Sequence, residues 1–172
     1  CDAGYRFSSG SCTACGSLTY SLGGTATTCT SCSGCSACTK TTGVCQTCKA
    51  GYTLVNGKCS ACGSLTYSLG GTETTCKSCS GCSECSTSTG ICTKCKAGYK
   101  LENGKCNACG LMTYSLGGTV TTCTACSNSC SSCDNTNGKC INCKPGSTSS
   151  SSTGICKEGG SMTYSIWGAL TP

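Results

Sequence analysis

Cysteine dominates the chemistry this sequence could perform: there are 26 cysteines among 172 residues, and no histidine. They recur on a fixed ruler. Cys15, Cys62 and Cys109 are 47 residues apart, as are Cys29, Cys76 and Cys123. Each unit carries eight cysteines, as Cys-x2-Cys, thirteen residues, Cys-x2-Cys-x2-Cys-x2-Cys, six residues, Cys-x2-Cys. Thiols at such spacing have three uses. They ligate zinc as thiolates, and Cys12, Cys15, Cys29 and Cys32 have the spacing of a four-cysteine site, with Cys35, Cys38, Cys45 and Cys48 as a second set. They act as redox Cys-x-x-Cys pairs when a helix N-terminus or a cation acidifies one thiol, and nothing in this sequence predicts such a helix. In an oxidising compartment they pair as disulfides. The third use is expected here. The zinc ligand sets sit among Ser, Thr and Gly, without the charged helices that usually accompany zinc knuckles.

Parity narrows the pairing. If Cys1–Cys12, Cys48–Cys59, Cys95–Cys106 and Cys143–Cys156 each close a hairpin, eighteen cysteines remain, six per unit, and the count is even. The competing scheme staggers the motifs, pairing Cys12–Cys29 with Cys15–Cys32 and Cys35–Cys45 with Cys38–Cys48. It leaves Cys1 and Cys156 free to bond between chains. The first scheme is preferred. Among the six remaining cysteines of a unit, about 15 connectivities stay open.

These sulfurs must be held by a repeating frame, because a fixed period of this length marks a tandem array of small stacked units. The repeats divide the chain into a partial repeat end at 1–11, repeats at 12–58, 59–105 and 106–156, and a cysteine-free degenerate strand at 157–172. The segment Gly16-Ser-Leu-Thr-Tyr-Ser-Leu-Gly-Gly-Thr25 returns at 63–72 and, as Gly-Leu-Met-Thr-Tyr-Ser-Leu-Gly-Gly-Thr, at 110–119. Leu18, Tyr20 and Leu22 alternate with Ser17, Thr19 and Ser21, so period two predicts a strand with one apolar face. Gly23-Gly24 would turn it back, with residues 25–29 as the returning strand. The apolar face would contact a neighbouring unit or cover the unit's own disulfides. A second hairpin is expected between Cys48 and Cys59, where Asn56-Gly57 is a strong type I′ turn signal, repeated at Asn103-Gly104. No window carries an apolar 3.6-residue stripe. The fold expected is small and disulfide-rich: short β-hairpins and coil in an elongated tandem-repeat rod, with a disulfide ladder and almost no helix.

Composition explains why cross-links are needed. Leu, Ile, Val and Phe make up about a tenth of the chain, below the roughly 20% that flags a sequence unable to build an ordinary core. A disulfide closing a short loop contributes about 2–4 kcal/mol, mainly by restricting the unfolded chain. The net charge of +6 comes from eleven Lys and one Arg spread along the length. This reads as a solvated surface, since nucleic-acid binders concentrate such charge on one stripe. The acids Asp2, Glu73, Glu84, Glu102, Asp134 and Glu158 do not recur in register, and position 73 is Ala26 and Val120 in the sister units, a surface position free to vary. Without histidine the commonest general base is missing, so no enzyme activity, catalytic residue, cofactor or bound metal is expected. No apolar run is long enough to span a membrane. The chain opens inside a repeat, so it is expected to be a processed product or a segment of a longer one. Its many hydroxyls are compatible with O-glycans.

The end of the chain departs from the pattern. One residue is inserted between Cys126 and Cys130, and the last hairpin becomes a serine run. The strand motif then returns as Ser-Met-Thr-Tyr-Ser-Ile-Trp-Gly at 161–168, without its cysteines. Three readings are open for it: a cap on the array, a strand donated to an exposed sheet edge of the next molecule, or a disordered tail. In the second role Met162, Tyr164, Ile166 and Trp167 are the assembly residues, and a heterologous contact of that kind propagates into filaments.

The Cys-x2-Cys ladder with "CKAGYTLVNGKCSAC" and "CKAGYKLENGKCNAC" resembles the growth-factor-receptor (furin-like) cysteine-rich repeats, especially as arrayed in ciliate surface (immobilisation) antigens. Variant surface proteins of diplomonad parasites are more distantly similar. The resemblance spans Cys1 to Cys156, on elements that many cysteine-rich modules share. It implies a secreted, disulfide-bonded, non-enzymatic protein that coats a cell or cilium. The expected function is an extracellular structural protein, a coat or fibre subunit that self-associates head-to-tail. Membrane attachment would come only through a removed or unseen anchor, and no nucleic acid is expected as a partner. Two alternatives stand: a receptor-like cysteine-rich ligand-binding ectodomain, and an intracellular four-cysteine zinc scaffold.

Overall fold

The computed structural model describes residues 1–150 and 154–158. Among them there is no helix; twenty short strands form ten two-stranded antiparallel sheets. The chain divides into two compact lobes, one of Cys1–Thr93 and one from Lys94 on. Both are built from the same three kinds of strand pair.

The first is a turn hairpin, Tyr52–Val55 against Lys58–Ala61 and Tyr99–Glu102 against Lys105–Ala108. Asn56 and Gly57 have φ of 49° and 73°, and Asn103 and Gly104 have 50° and 72°. Positive φ at both central residues is the type I′ geometry that matches the twist of the flanking strands. The N-terminal copy, Tyr5–Ser8 against Ser11–Ala14, uses Ser9-Gly10 in the same way. A fourth pairs Ser147–Ser150 with Ile155–Glu158. The second kind is a cysteine hairpin, Cys35–Cys38 with Cys45–Cys48 and Cys130–Cys133 with Cys140–Cys143, each bulged after its first pair. The third is a two-residue pair, Thr19–Tyr20 with Thr30–Ser31, Thr66–Tyr67 with Lys77–Ser78, and Thr113–Tyr114 with Thr124–Ala125.

That third pair corrects the sequence reading. The alternating strand expected around Leu18, Tyr20 and Leu22 is only two residues long, and its partner lies beyond Cys29, not in the segment directly after Gly23-Gly24. Leu18, Leu65 and Met112 have φ of 56°, 59° and 58°, so the backbone turns there and cannot continue as a strand. The faces are inverted beyond Tyr20. Ser21, Ser68 and Ser115 are buried, whereas Leu22, Leu69 and Leu116 are 74%, 61% and 73% exposed. The serine turns inward because its hydroxyl accepts the N–H of the first glycine, 3.1 Å from Gly23, 3.0 Å from Gly70 and 3.0 Å from Gly117. A side-chain-to-backbone bond of this kind competes with sheet geometry and sets a local turn.

The core is sulfur. The buried apolar side chains among the described residues are all cysteines, including Cys35, Cys82 and Cys130 at 0% exposure. Leu18, Tyr20 and Leu54 pack partly buried around Cys32, Cys35 and Cys45. Tyr20 lies against Gly43, where an added Cβ would fall 2.5 Å from the ring; Tyr67 and Tyr114 lie the same way against Gly90 and Gly138. Glycine is required there because the ring occupies the space of a side chain.

Candidate functional site

Thirteen disulfides use all 26 cysteines. Cys1 bonds Cys12, Cys48 bonds Cys59, Cys95 bonds Cys106 and Cys143 bonds Cys156, each joining the segment ahead of a turn hairpin to its second strand. The six remaining cysteines of a unit pair as Cys15–Cys29, Cys32–Cys38 and Cys35–Cys45. The second unit pairs as Cys62–Cys76, Cys79–Cys85 and Cys82–Cys92. The third pairs as Cys109–Cys123, Cys126–Cys133 and Cys130–Cys140. Of the staggered scheme only Cys35–Cys45 occurs. The four-thiol sets drawn from spacing are divided between different bonds: Cys12 goes to Cys1, Cys15 to Cys29 and Cys32 to Cys38. The sulfurs of Cys35, Cys45 and Cys59 do lie within 4.8 Å of one another. They belong to two stacked disulfides, Cys35–Cys45 and Cys48–Cys59, and a disulfide sulfur is no thiolate ligand.

What joins each unit to the next turn hairpin is a backbone clasp. Cys48 donates its N–H to Gly71 O and accepts from Gly71 N, both at 2.8 Å, while Gly51 N donates to Ser68 O at 2.8 Å and Leu54 N to Glu73 O at 2.7 Å. Cys95 and Gly118, Gly98 and Ser115, and Leu101 and Val120 repeat these bonds at 2.8, 2.8 and 2.7 Å. At the N-terminus the ammonium of Cys1 donates to Gly24 O at 2.9 Å, and Gly24 N donates to Cys1 O at 2.7 Å. The first glycine of each pair lies against the clasped backbone. A Cβ on Gly23, Gly70 or Gly117 would fall 2.6–2.8 Å from backbone atoms of the cysteine segment. The identical Ser-Leu-Gly-Gly-Thr in all three units was the available signal for this clasp. It needs the fold to be read, because partners such as Cys48 and Gly51 lie far ahead of Gly71 and Ser68 in the chain.

Charged side chains decorate the clasps unequally. Glu73 accepts from Ser68 Oγ at 2.8 Å, Leu69 N at 2.9 Å and Lys77 Nζ at 2.7 Å. Lys77 first, then Ser68 and Leu69 N–H, hold its carboxyl at about 2, down from 4.5. Glu73 is therefore tied into its clasp, more than the freely varying surface residue expected from Ala26 and Val120. Lys77 is raised in turn by Glu73. Glu102 is lowered by Lys100, 3.2 Å away, and by Asn107. Asp134 is lowered by Thr136, which donates its hydroxyl at 2.6 Å and its N–H at 2.8 Å, and by Asn137 at 2.9 Å.

A concavity whose lining is particular to one unit lies in the third repeat. It has a volume of about 320 Å³ and is lined by Leu111, Met112, Cys133, Asp134, Asn135 and Ile141 among others. The sequence reading named Asp134 only as an acid outside the repeat register and passed over Leu111 and Ile141; the signal was that Leu111 and Ile141 stand where the other repeats have Ser17, Ser64, Gln46 and Thr93. Met162, Tyr164, Ile166 and Trp167 lie outside the described residues.

Compared with models of known protein families, with curated proteins and with solved structures, the chain matches none. Its class therefore rests on its own architecture: a cysteine-rich protein of tandem disulfide-stapled hairpins, of the kind that fits an oxidising, extracellular environment. No helix among the described residues is long and apolar enough to cross a membrane.

Proposed function

We propose that this chain is a non-enzymatic structural component of a cell-surface coat or extracellular fibre, similar in role to the repeat antigens it resembles. The observation that carries the reading is the bond-for-bond repetition of the clasp in three successive units, around a core made of disulfides. Each repeat of such a frame is held by covalent restraint, and an array of this kind extends by adding repeats. Its abundant exposed hydroxyls suit a hydrated surface and O-linked glycans. Self-association head-to-tail, through the strand motif at 161–168 with Met162, Tyr164, Ile166 and Trp167, would convert a stiff subunit into a fibre.

Two measurements test this. Intact mass of native material, before and after reduction with alkylation, should show no reactive thiol until reductant is added, and excess mass would report glycan or lipid. Thiols that react after chelation alone would instead mark a zinc scaffold and overturn the extracellular reading. Sedimentation of the full chain against a chain lacking residues 161–172 should show end-to-end assembly only in the former, with all 13 disulfides intact in both. Continued filament formation by the shortened chain would remove the donated strand from the proposal, and a full chain that stays monomeric at every concentration would remove assembly altogether.

A further inference from the structure

Several third-repeat departures from the other two converge on one place. Leu111 replaces Ser17 and Ser64, Ile141 replaces Gln46 and Thr93, Asp134 replaces Thr39 and Ser86, and Asn135 replaces Lys40 and Thr87. All four line the 320 Å³ concavity. The first two put aliphatic side chains in water at positions that are polar in both sister units: Leu111 is 99% exposed and Ile141 65% exposed. Neither stabilises the repeat by burial at those exposures. The other two exchange a lysine or hydroxyls for a carboxylate and an amide. An aliphatic rim beside a fixed carboxylate is a surface for a partner that presents an aliphatic group next to a cation.

Among the described residues, one turn-hairpin tip carries such a surface. At the ends of the four turn hairpins the closing pairs are Ser8 with Ser11, Val55 with Lys58, Glu102 with Lys105, and Ser150 with Ile155. Only Val55 and Lys58 place an aliphatic residue directly opposite a lysine. Val44 adds to that tip, with its Cγ1 2.7 Å from where a Cβ on Gly57 would lie. Val44 and Val55 are 48% and 46% exposed. Among the described residues Lys58 faces no carboxylate, whereas the corresponding tip of the next hairpin carries Glu102, which would repel Asp134.

We propose that the third-repeat concavity around Leu111, Ile141 and Asp134 receives the Val44–Val55–Lys58 hairpin tip of a second copy of this chain. The proposal rests on the self-association reading above and gives that association a second, independent contact. Two molecules of charge +6 repel overall, so pairing is favoured where opposite charges are brought together, as Lys58 and Asp134 would be, and this sets the register. The two patches are different surfaces, so the contact is heterologous and leaves one of each free to add the next copy.

The test uses substitutions already present in sister repeats. D134T/N135K gives the third repeat the Thr-Lys pair of Thr39-Lys40, and K58E inverts the tip. Sedimentation velocity over a concentration series is the readout, and intact mass confirms complete disulfide formation in every variant. Each variant alone should associate at least about tenfold more weakly than the natural chain, because each pits like charges against each other. An equimolar mixture should recover association. The lysine introduced at the rim of one variant then meets the glutamate introduced at the tip of the other, and the unaltered Asp134 meets the unaltered Lys58. L111S/I141T, copying Ser64 and Thr93, should weaken association; mixing it with D134T/N135K, a second rim variant, should not recover it, whereas mixing it with K58E, whose natural rim can take its natural tip, should restore pairing. Natural chain that never associates would sink the assembly reading itself. Natural chain that associates while the variants match it, or variants that weaken and do not recover on mixing, would overturn this contact and leave the C-terminal strand to account for assembly.

Discussion

In the clasps the three units agree bond for bond although their side chains differ. Phe7, Leu54 and Leu101 donate their N–H groups to Ala26, Glu73 and Val120 at 2.8, 2.7 and 2.7 Å, so an alanine, a glutamate and a valine serve equally. Around the concavity the reverse holds. The backbone frame is the same, yet Ser17 and Ser64 become Leu111, and Gln46 and Thr93 become Ile141. Where the contact is made by main-chain N–H and C=O groups, only residues that shape the backbone are constrained. Where a side chain meets solvent or a partner, its chemistry is free to specialise. The clasp is architecture, and the rim is where one repeat acquires an identity of its own.

The sharpest way to break the first half of that comparison is at the clasp glycines. Gly70 and Gly71 are adjacent, with φ of 82° and 68°, but an added Cβ at Gly70 would lie 2.6 Å from Cys48 O, while at Gly71 nothing lies within 4 Å. G70A should cost about 3 kcal/mol or more, combining left-handed strain with a backbone clash. G71A carries the strain alone and should cost about 1–2 kcal/mol. Denaturant unfolding of the two variants with disulfides intact checks this, and equal costs would mean that the close approach does not govern the clasp.

A smaller effect is expected at the buried serine. Ser68 is 0% exposed; its one hydroxyl proton is shared between Tyr52 O and Glu73 Oε2, and its oxygen accepts from Gly70 N. S68A should cost about 1–3 kcal/mol, the range for stranding a buried donor. Amide exchange at Gly70 should accelerate in that variant. Unchanged exchange there would assign the turn to the glycines alone.

The smallest effect separates the second unit from its neighbours by pH. The Glu73 carboxyl is held at about 2 in the folded chain against an ordinary 4.5. A depressed folded value contributes stability that is complete above about pH 4.5 and is lost as pH falls toward 2. The sister positions, Ala26 and Val120, cannot titrate. Carboxyl chemical shifts followed by NMR should show Glu73 titrating below the usual carboxylate range. E73V, which copies the third repeat, should remove the acid-dependent part of the second unit's stability and leave neutral-pH folding intact. An ordinary midpoint for Glu73 would mean that Lys77 and Ser68 do not hold it in solution.

Much of this architecture is legible without coordinates because it depends on local rules. The 47-residue period, the type I′ turns at Asn56-Gly57 and Asn103-Gly104, and the need for cross-links in a chain poor in large aliphatics all follow from residue identity and spacing. The Leu18–Leu22 segment departs from its pattern for a reason of the same kind. Alternation predicts which face is apolar, but a hydroxyl that caps its own glycine turn outweighs the burial of one leucine, so Ser21 faces inward and Leu22 faces water. Spacing also leaves the three inner disulfides of each unit undecided, since loop-closure entropy varies little among loops of similar length.

What the sequence by itself determined is the class: a tandem, disulfide-stapled hairpin array suited to an oxidising environment. Only the tertiary structure decided which sulfurs meet, where the Gly-Gly loop docks, and that Leu111, Asp134 and Ile141 share one concavity. Contacts between residues tens of positions apart depend on how the backbone closes in three dimensions, and a linear pattern records the period of that closure without its partners.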